Sequence, residues 1–351
     1  MPLKKPITRR TALAGIGAGL AAPMLNIRAL RADQGVVYVN SWGGSWTDAE
    51  RKAIFDPFTE ATGIEVVPVT PVSIAKLRAQ VQMNDYEWDV SNMNPIEVYQ
   101  AELEDLVEPL DFDIIDRDKL ASNAVVGNSL EMLTIATALV YRTDKFPNGG
   151  PQSWADFWDV ERFPGPRGLY NRAFTNVAIA LLADGVAPED LYPLDLDRAF
   201  NKLDEIKDHV TVWWSQGGQS EQIIRDGEIV MGSMWNARAQ SVIDGGAPVE
   251  IVWNQAEHLS TNRFVAKGTP RTKEAMQFME FAVQPKPLAE FCDALTYGPL
   301  NPKSLDYLSP ERVEVMPTRP EYVKIGFHHD PSWLAPKLTE LTERYNSWLA
   351  S

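Results

Sequence analysis

The sequence predicts an α/β fold divided between two globular lobes, and three observations carry that expectation. The first is a strand–turn–helix–strand run from Val36 to Thr70. The second is a series of strand ends bearing tryptophan beside amide or hydroxyl residues, near positions 42, 92, 214, 235 and 253. The third is size. With residues 1–32 set aside as a leader, about 320 residues remain, more than one hydrophobic core usually organises. The 44% hydrophobic content is enough to fill two.

Val36–Val39 is β-branched and aromatic, the mark of a buried strand. Gly43-Gly44 stops it, and Ser45-Trp46-Thr47-Asp48 reads as a capping box opening a helix. Ile54, Phe55, Phe58 and Ala61 recur at helical spacing, Thr62-Gly63 ends the helix, and Ile64–Val69 is a second strand. This is one right-handed βαβ unit. In open α/β sheets ligands bind beyond the carboxyl ends of such strands, which here is Trp42-Gly43-Gly44-Ser45-Trp46. Two glycines allow close backbone approach and two indoles offer walls. The alternative is a structural turn with Trp42 and Trp46 in the core.

Ile74, Leu77 and Val81 mark the next helix, and Trp88-Asp89-Val90 a short strand whose end carries Asn92 and Met93. Asn92 and Asn94 are either turn residues or ligand-facing amides. Glu97–Leu106 is an amphipathic helix, and Leu133–Tyr141 a strand apolar enough to run out of one lobe toward the other. Trp154, Phe157 and Trp158 share a face of a short helix capped by Ser153, followed by helices over Asn176–Leu182 and Leu196–Ile206. Val210–Trp214, Glu228–Met234 and Val249–Trp253 are strands; Trp214, Trp235-Asn236 and Trp253 stand at their ends. Met276–Phe291 is helical apart from Pro285 and Pro287, Tyr297–Pro302 is a rigid turn, and Ser332–Leu349 closes the chain as a helix.

The N-terminus reads as an export signal. Lys4, Lys5, Arg9 and Arg10 precede the apolar, glycine-rich run Ala12–Met24, and Thr8-Arg9-Arg10-Thr11-Ala12-Leu13 resembles a twin-arginine motif, with cleavage expected near Ala32. A plain secretory signal or lipid anchor is the alternative, although no cysteine lies near the cleavage region. No other run reaches the roughly 18 apolar residues of a membrane span, so a soluble periplasmic protein without stable membrane insertion is expected. The formal charge of −15 falls to −21 once the six basic residues of the leader are removed. So acidic a chain argues against nucleic acid and anionic lipid as partners. The single cysteine, Cys292, cannot form an internal disulfide and reads as core packing. No nucleophile elbow, Walker loop, dinucleotide fingerprint or zinc-protease motif occurs. The His328-His329 pair reads as surface loop rather than metal ligand. Binding without catalysis, metal or cofactor is the expectation.

Several runs resemble the bacterial extracellular solute-binding proteins of ABC importers, in their spermidine/putrescine-binding-like branch. They are VNSWGGSWTDAERKAIFDPFTEATGIEV, SWADFWDVERFPGPRGLY, ALLADGVAPEDLYPLDLDRAFNKLDEIK, GSMWNARAQSVIDGGAPVEIVWNQ and TYGPLNPKSLDYLSPE. The resemblance implies the two-lobed periplasmic-binding-protein fold, each lobe a mixed sheet flanked by helices, joined by crossover hinge segments. Lobe one would take residues 34–139 and 257–303, and lobe two residues 140–256 and 304–351. It implies a monomer that clasps a small molecule and presents it to permease subunits. The family's aromatic box carries over onto Trp42, Trp235 and Tyr297, and less directly onto Trp253. The acids that grip polyamine ends do not carry over: their positions fall at Arg172 and Thr175, and at Asn262. A guanidinium in place of an acid grips a carboxylate bidentately. The expected ligand is therefore a small carboxylate-bearing metabolite, an amino acid such as 4-aminobutyrate or an aromatic acid. A polyamine is the alternative, and an enzyme on the same scaffold a remote one.

Overall fold

The β-branched runs assemble into one ten-stranded mixed sheet in a computed structural model that describes residues 35–351. The export motif and the cleavage position near Ala32 lie outside the described residues. The strands are β1 (Val36–Asn40), β2 (Glu65–Val69), β3 (Val90–Met93), β4 (Val125–Val126), β5 (Ser129–Arg142), β6 (Arg167–Tyr170), β7 (Val210–Trp214), β8 (Met231–Trp235), β9 (Val249–Val265) and β10 (Gly298–Pro299). Their order across the sheet is β2-β1-β3-β9-β5-β8-β6-β7, with β4 and β10 pairing β5.

The expected βαβ unit is present: β1 and β2 run parallel, Val36 opposite Glu65 through Asn40 opposite Val69. The helical run between them starts at Gly44 rather than after Ser45, and no side chain caps it in the expected way. Instead Gly43, at φ 85°, donates its backbone N–H to Thr47 Oγ1 at 2.9 Å. Gly43 and Gly44 both have positive φ, which a residue with a Cβ adopts only under strain. Thr47 serves the turn that Ser45 was expected to serve.

β5 and β9 are the two long strands, paired antiparallel from Leu130–Arg263 to Arg142–Val249. One portion of this pair borders β3, and the other borders β8. Between them the register breaks: Thr137 faces Glu257 but Leu139 faces Val252, so four residues of β9 bulge out, with Gln255 at φ 58°. The sequence stops β9 at Trp253, whereas the strand continues to Val265. Its distal part is rich in buried polar residues (Glu257, His258, Asn262 and Arg263), which hide it from a hydrophobicity reading.

The apolar residues divide along the sheet. Val37, Ile54, Phe55, Phe58, Phe278 and Phe291 gather about the β1 side, with Cys292 fully buried among them. Trp154, Phe157, Val177, Leu203 and Tyr345 gather about the β6 side. Pro285 opens a new helix, Pro285–Leu295, where its missing N–H costs nothing. Tyr297–Pro302 is more than a turn, since Gly298 and Pro299 pair with Thr134 and Leu133 of β5. The closing helix is interrupted at Ala335–Lys337 and resumes over Leu338–Ala350. Among the described residues no helix is long and apolar enough to cross a membrane.

Candidate ligand-binding cavity

Strand ends and strand middles from both sides of the register break meet around a cavity of about 470 Å³. β1 contributes the turn Trp42–Trp46, β6 contributes Tyr170 and Arg172, and β8 contributes Trp235 and Arg238. Ile135 and Thr137 of β5 and Leu259, Ser260 and Thr261 of β9 form the floor; Asn94, Gln216 and Tyr297 complete the wall.

Of the residues singled out from sequence, Trp42, Gly43, Gly44, Ser45, Trp46, Arg172, Trp235 and Tyr297 come together here. Trp42 is 48% exposed, and its indole N–H donates to Asn92 Oδ1 at 2.7 Å, which fixes the ring at the rim. Asn92 therefore sits behind the cavity as a brace. Trp46 satisfies both sequence readings: its ring packs edge-on to Phe291 at 5.1 Å and tilts against Tyr297 at 5.9 Å, yet it still lines the cavity.

The other expectations are corrected. Met93 is buried in the apolar cluster around Trp88 and Phe264. Trp214 is fully buried, stacks under Tyr170 at 4.5 Å and donates its indole N–H to the Ser233 carbonyl; it supports the wall without forming it. Trp253 lies on the bulge and stacks on Tyr322 at 4.1 Å, apart from the cavity. Asn262 holds Ser129 Oγ at 3.0 Å from within the sheet. Asn236 is also internal: its Oδ1 accepts the Ala136 N–H at 3.0 Å and its Nδ2 donates to the Thr296 carbonyl at 2.8 Å. It ties the first turn after β8 to β5 and to the chain leading into Tyr297. Asn236→Ala leaves two buried backbone groups unpaired and is expected to cost about 1–3 kcal/mol, read as a lowered urea midpoint. The His328-His329 pair is not simply surface loop: the His329 imidazole is buried, with Nε2 2.6 Å from Glu257 and Nδ1 2.6 Å from the Tyr192 hydroxyl.

Sequence reasoning passed over Tyr170, Gln216, Arg238 and the β9 floor. Arg238 lay one helical turn from Trp235-Asn236, a spacing that places both on the start of one helix. The floor residues were missed because β9 was ended too early.

The glycine turn is backed by a buried polar chain. Arg263 pairs with Glu50 at 2.5 Å, both fully buried, and the guanidinium carbon lies 5.0 Å from the Phe278 ring centre. Ser41 Oγ donates to the other Glu50 oxygen at 2.5 Å and lies 2.6 Å from Thr47 Oγ1, which accepts the Gly43 N–H. Burial pushes the Glu50 carboxyl above its ordinary range despite Arg263, and burial lowers the Arg263 guanidinium. Burial likewise raises the Tyr170 and Tyr297 phenols, which stay neutral donors at physiological pH.

No Asp or Glu is among the residues that line the cavity, while two arginines are. Among the described residues no cluster of three or more His, Cys, Asp or Glu is placed to hold a metal ion. The arrangement offers aromatic faces, neutral hydrogen-bond groups and positive charge.

Comparison with known proteins gives the family. Residues 53–320 match the family described as bacterial extracellular solute-binding protein. The chain is 33% identical over 319 residues to a gamma-aminobutyric acid-binding protein of Pseudomonas aeruginosa, spanning 89% of this chain and 90% of that one. It is 23% identical over 278 residues to the spermidine/putrescine-binding periplasmic protein of Escherichia coli, spanning 76% and 79%. The solved structure of an ABC transporter substrate-binding protein from Bradyrhizobium japonicum superposes with a TM-score of 0.85 at 35% identity, over 90% of this chain and 99% of that one.

Proposed function

The chain belongs to the bacterial extracellular solute-binding proteins, and on that premise we propose that its cavity captures a small carboxylate-bearing metabolite for an ABC importer. An amino acid such as 4-aminobutyrate, or an aromatic acid, fits the chemistry. One observation carries the reading. Arg172 faces the cavity, its guanidinium carbon 5.3 Å and 4.7 Å from the Tyr170 and Phe174 ring centres, and it makes no ion pair among the described residues. A guanidinium held between rings keeps its N–H fork in a fixed plane, ready for a carboxylate. The likeness to the gamma-aminobutyric acid-binding protein supports the same class.

The polyamine reading draws on the Escherichia coli relative. It is the weaker one, because an ammonium would meet indole faces but no lining carboxylate, and a buried ion needs a paired partner. Residues 34–139 with 257–303, and 140–256 with 304–351, would form the two lobes, a division supported by the register break opposite Thr137 and Glu257. The receptor would act as a monomer in the periplasm, exported through the arginine pair Arg9-Arg10, and would meet permease subunits when loaded.

Arg172→Ala is expected to weaken binding of 4-aminobutyrate or another responding acid at least about 10-fold, the equivalent of 1.4 kcal/mol, with an unchanged unfolding midpoint. Thermal shift with putrescine and spermidine beside the acids is the check. A large rise with the amines and none with acids would overturn the ligand class.

A further inference from the structure

Two guanidinium groups reach the cavity, Arg172 beside the Tyr170 ring and Arg238 beside the Trp235 indole. Arg172 follows β6 and Arg238 lies in the first turn after β8, and these strands are parallel neighbours paired at Gly168 and Gly232. Tyr170 and Trp235 themselves meet edge to face with ring centres 5.3 Å apart. Beside Arg238, Gly217 leaves room for guanidinium and indole together: a Cβ there would lie 2.7 Å from Arg238 Nε and 3.0 Å from the Trp235 ring.

Arg172 makes no ion pair among the described residues, and Arg238 shares the carboxylate it pairs with. Arg238 Nη1 lies 2.9 Å from Glu221, but the same carboxylate is 3.6 Å from Arg225, so one anion serves two cations. Glu97 stands behind the wall, with Asn94 Nδ2 donating to it at 2.5 Å. Burial raises its carboxyl above the ordinary range against the pull of Arg172, and no ion pair joins the two among the described residues. Glu131 is likewise screened by the Ser260 hydroxyl at 3.0 Å.

Resting on the carboxylate reading above, we infer that the ligand carries two acidic groups several bonds apart, one held by Arg172 and the other by Arg238, its connecting chain laid over Tyr170 and Trp235. A molecule with a single acid leaves one of the two guanidinium groups without a ligand partner, which gives the site a physical means of preferring diacids.

The test is titration calorimetry on the full chain with two series of equal chain length. One series is malonate, glutarate and adipate; the other is propionate, valerate and hexanoate. Putrescine and 4-aminobutyrate complete the panel. The longer diacids should bind at least about 10-fold tighter than their monoacid counterparts, and malonate should lose that advantage. Arg238→Gln should collapse the diacid-to-monoacid ratio toward one, whereas Arg172→Gln should weaken both series. Equal affinity for both series, or an Arg238→Gln variant that weakens both by one factor, overturns the two-acid inference and leaves the carboxylate receptor standing. Binding of putrescine with no acid bound overturns the carboxylate reading itself, and silence from every acid overturns both.

Discussion

Glu50→Gln is expected to lower the unfolding free energy by about 3–5 kcal/mol, the usual cost of stranding one member of a buried ion pair. The guanidinium of Arg263 would remain fully buried against Phe278 with a neutral amide as its only partner. The pair itself contributes far less than that figure, because taking both ions out of water is expensive. Hence Glu50→Leu combined with Arg263→Met should recover most of the loss, with a positive coupling in a double-mutant cycle. Urea unfolding of the wild type, Glu50→Gln, Glu50→Leu, Arg263→Met and the double variant gives the answer. A double variant no more stable than Glu50→Gln would show that the carboxylate acts mainly through Ser41 and Thr47 on the turn at Gly43.

Acidification should destabilise the protein between pH 6.5 and about 4. His258 is 2% exposed on β9, its backbone N–H bonded to the Phe327 carbonyl while neither ring nitrogen has a partner among the described residues. Burial first, and His328 at 5.5 Å second, depress its pKa from 6.5 to about 4. In that window the unfolded chain binds a proton that the folded chain refuses, so stability is complete above pH 6.5 and declines as pH falls toward 4. The depression corresponds to about 3 kcal/mol. His328, itself lowered by burial, pushes the same way. Glu257, the adjoining acid, has its pKa lowered: burial, the largest single influence, would raise it, but His329 together with the Thr137 and Thr175 hydroxyls outweighs that. It therefore adds a further loss at lower pH. His258→Gln should flatten the slope of the urea midpoint between pH 6.5 and 4; an unchanged slope would place the titrating group elsewhere.

The βαβ unit was legible because its signals are local. The apolar alternation of Val36–Val39 and the stripe Ile54, Phe55, Phe58 each lie within a few residues. The aromatic rim was legible for the same reason, since glycine beside tryptophan at a strand end marks a turn that approaches a ligand. Trp214 shows where such reasoning stops. Locally it looks like Trp235, but pairing of β6 with β7 sets which of Trp213 and Trp214 faces inward, and register is not a local property. The far part of β9 is the stronger case. Arg263 is buried because Glu50, 213 positions away, neutralises it, and Asn262 because Ser129 accepts its amide. No window of sequence contains those partners, so the strand reads as a polar loop. Arg238 was a different kind of miss, a charged residue at helical spacing from a chosen tryptophan, visible had the helix face been followed one turn further.

Cys292 is the chain's single sulfhydryl, and it is sealed within the apolar cluster around Phe291 and Met279, where burial raises its pKa well above normal. A maleimide dye added to the native protein therefore has no thiolate to attack. A cysteine placed by design on the exposed Tyr307 or Met83 positions would be the lone labelling point, and fluorophore reporting of capture and release could proceed in the wild-type background without first removing a natural thiol.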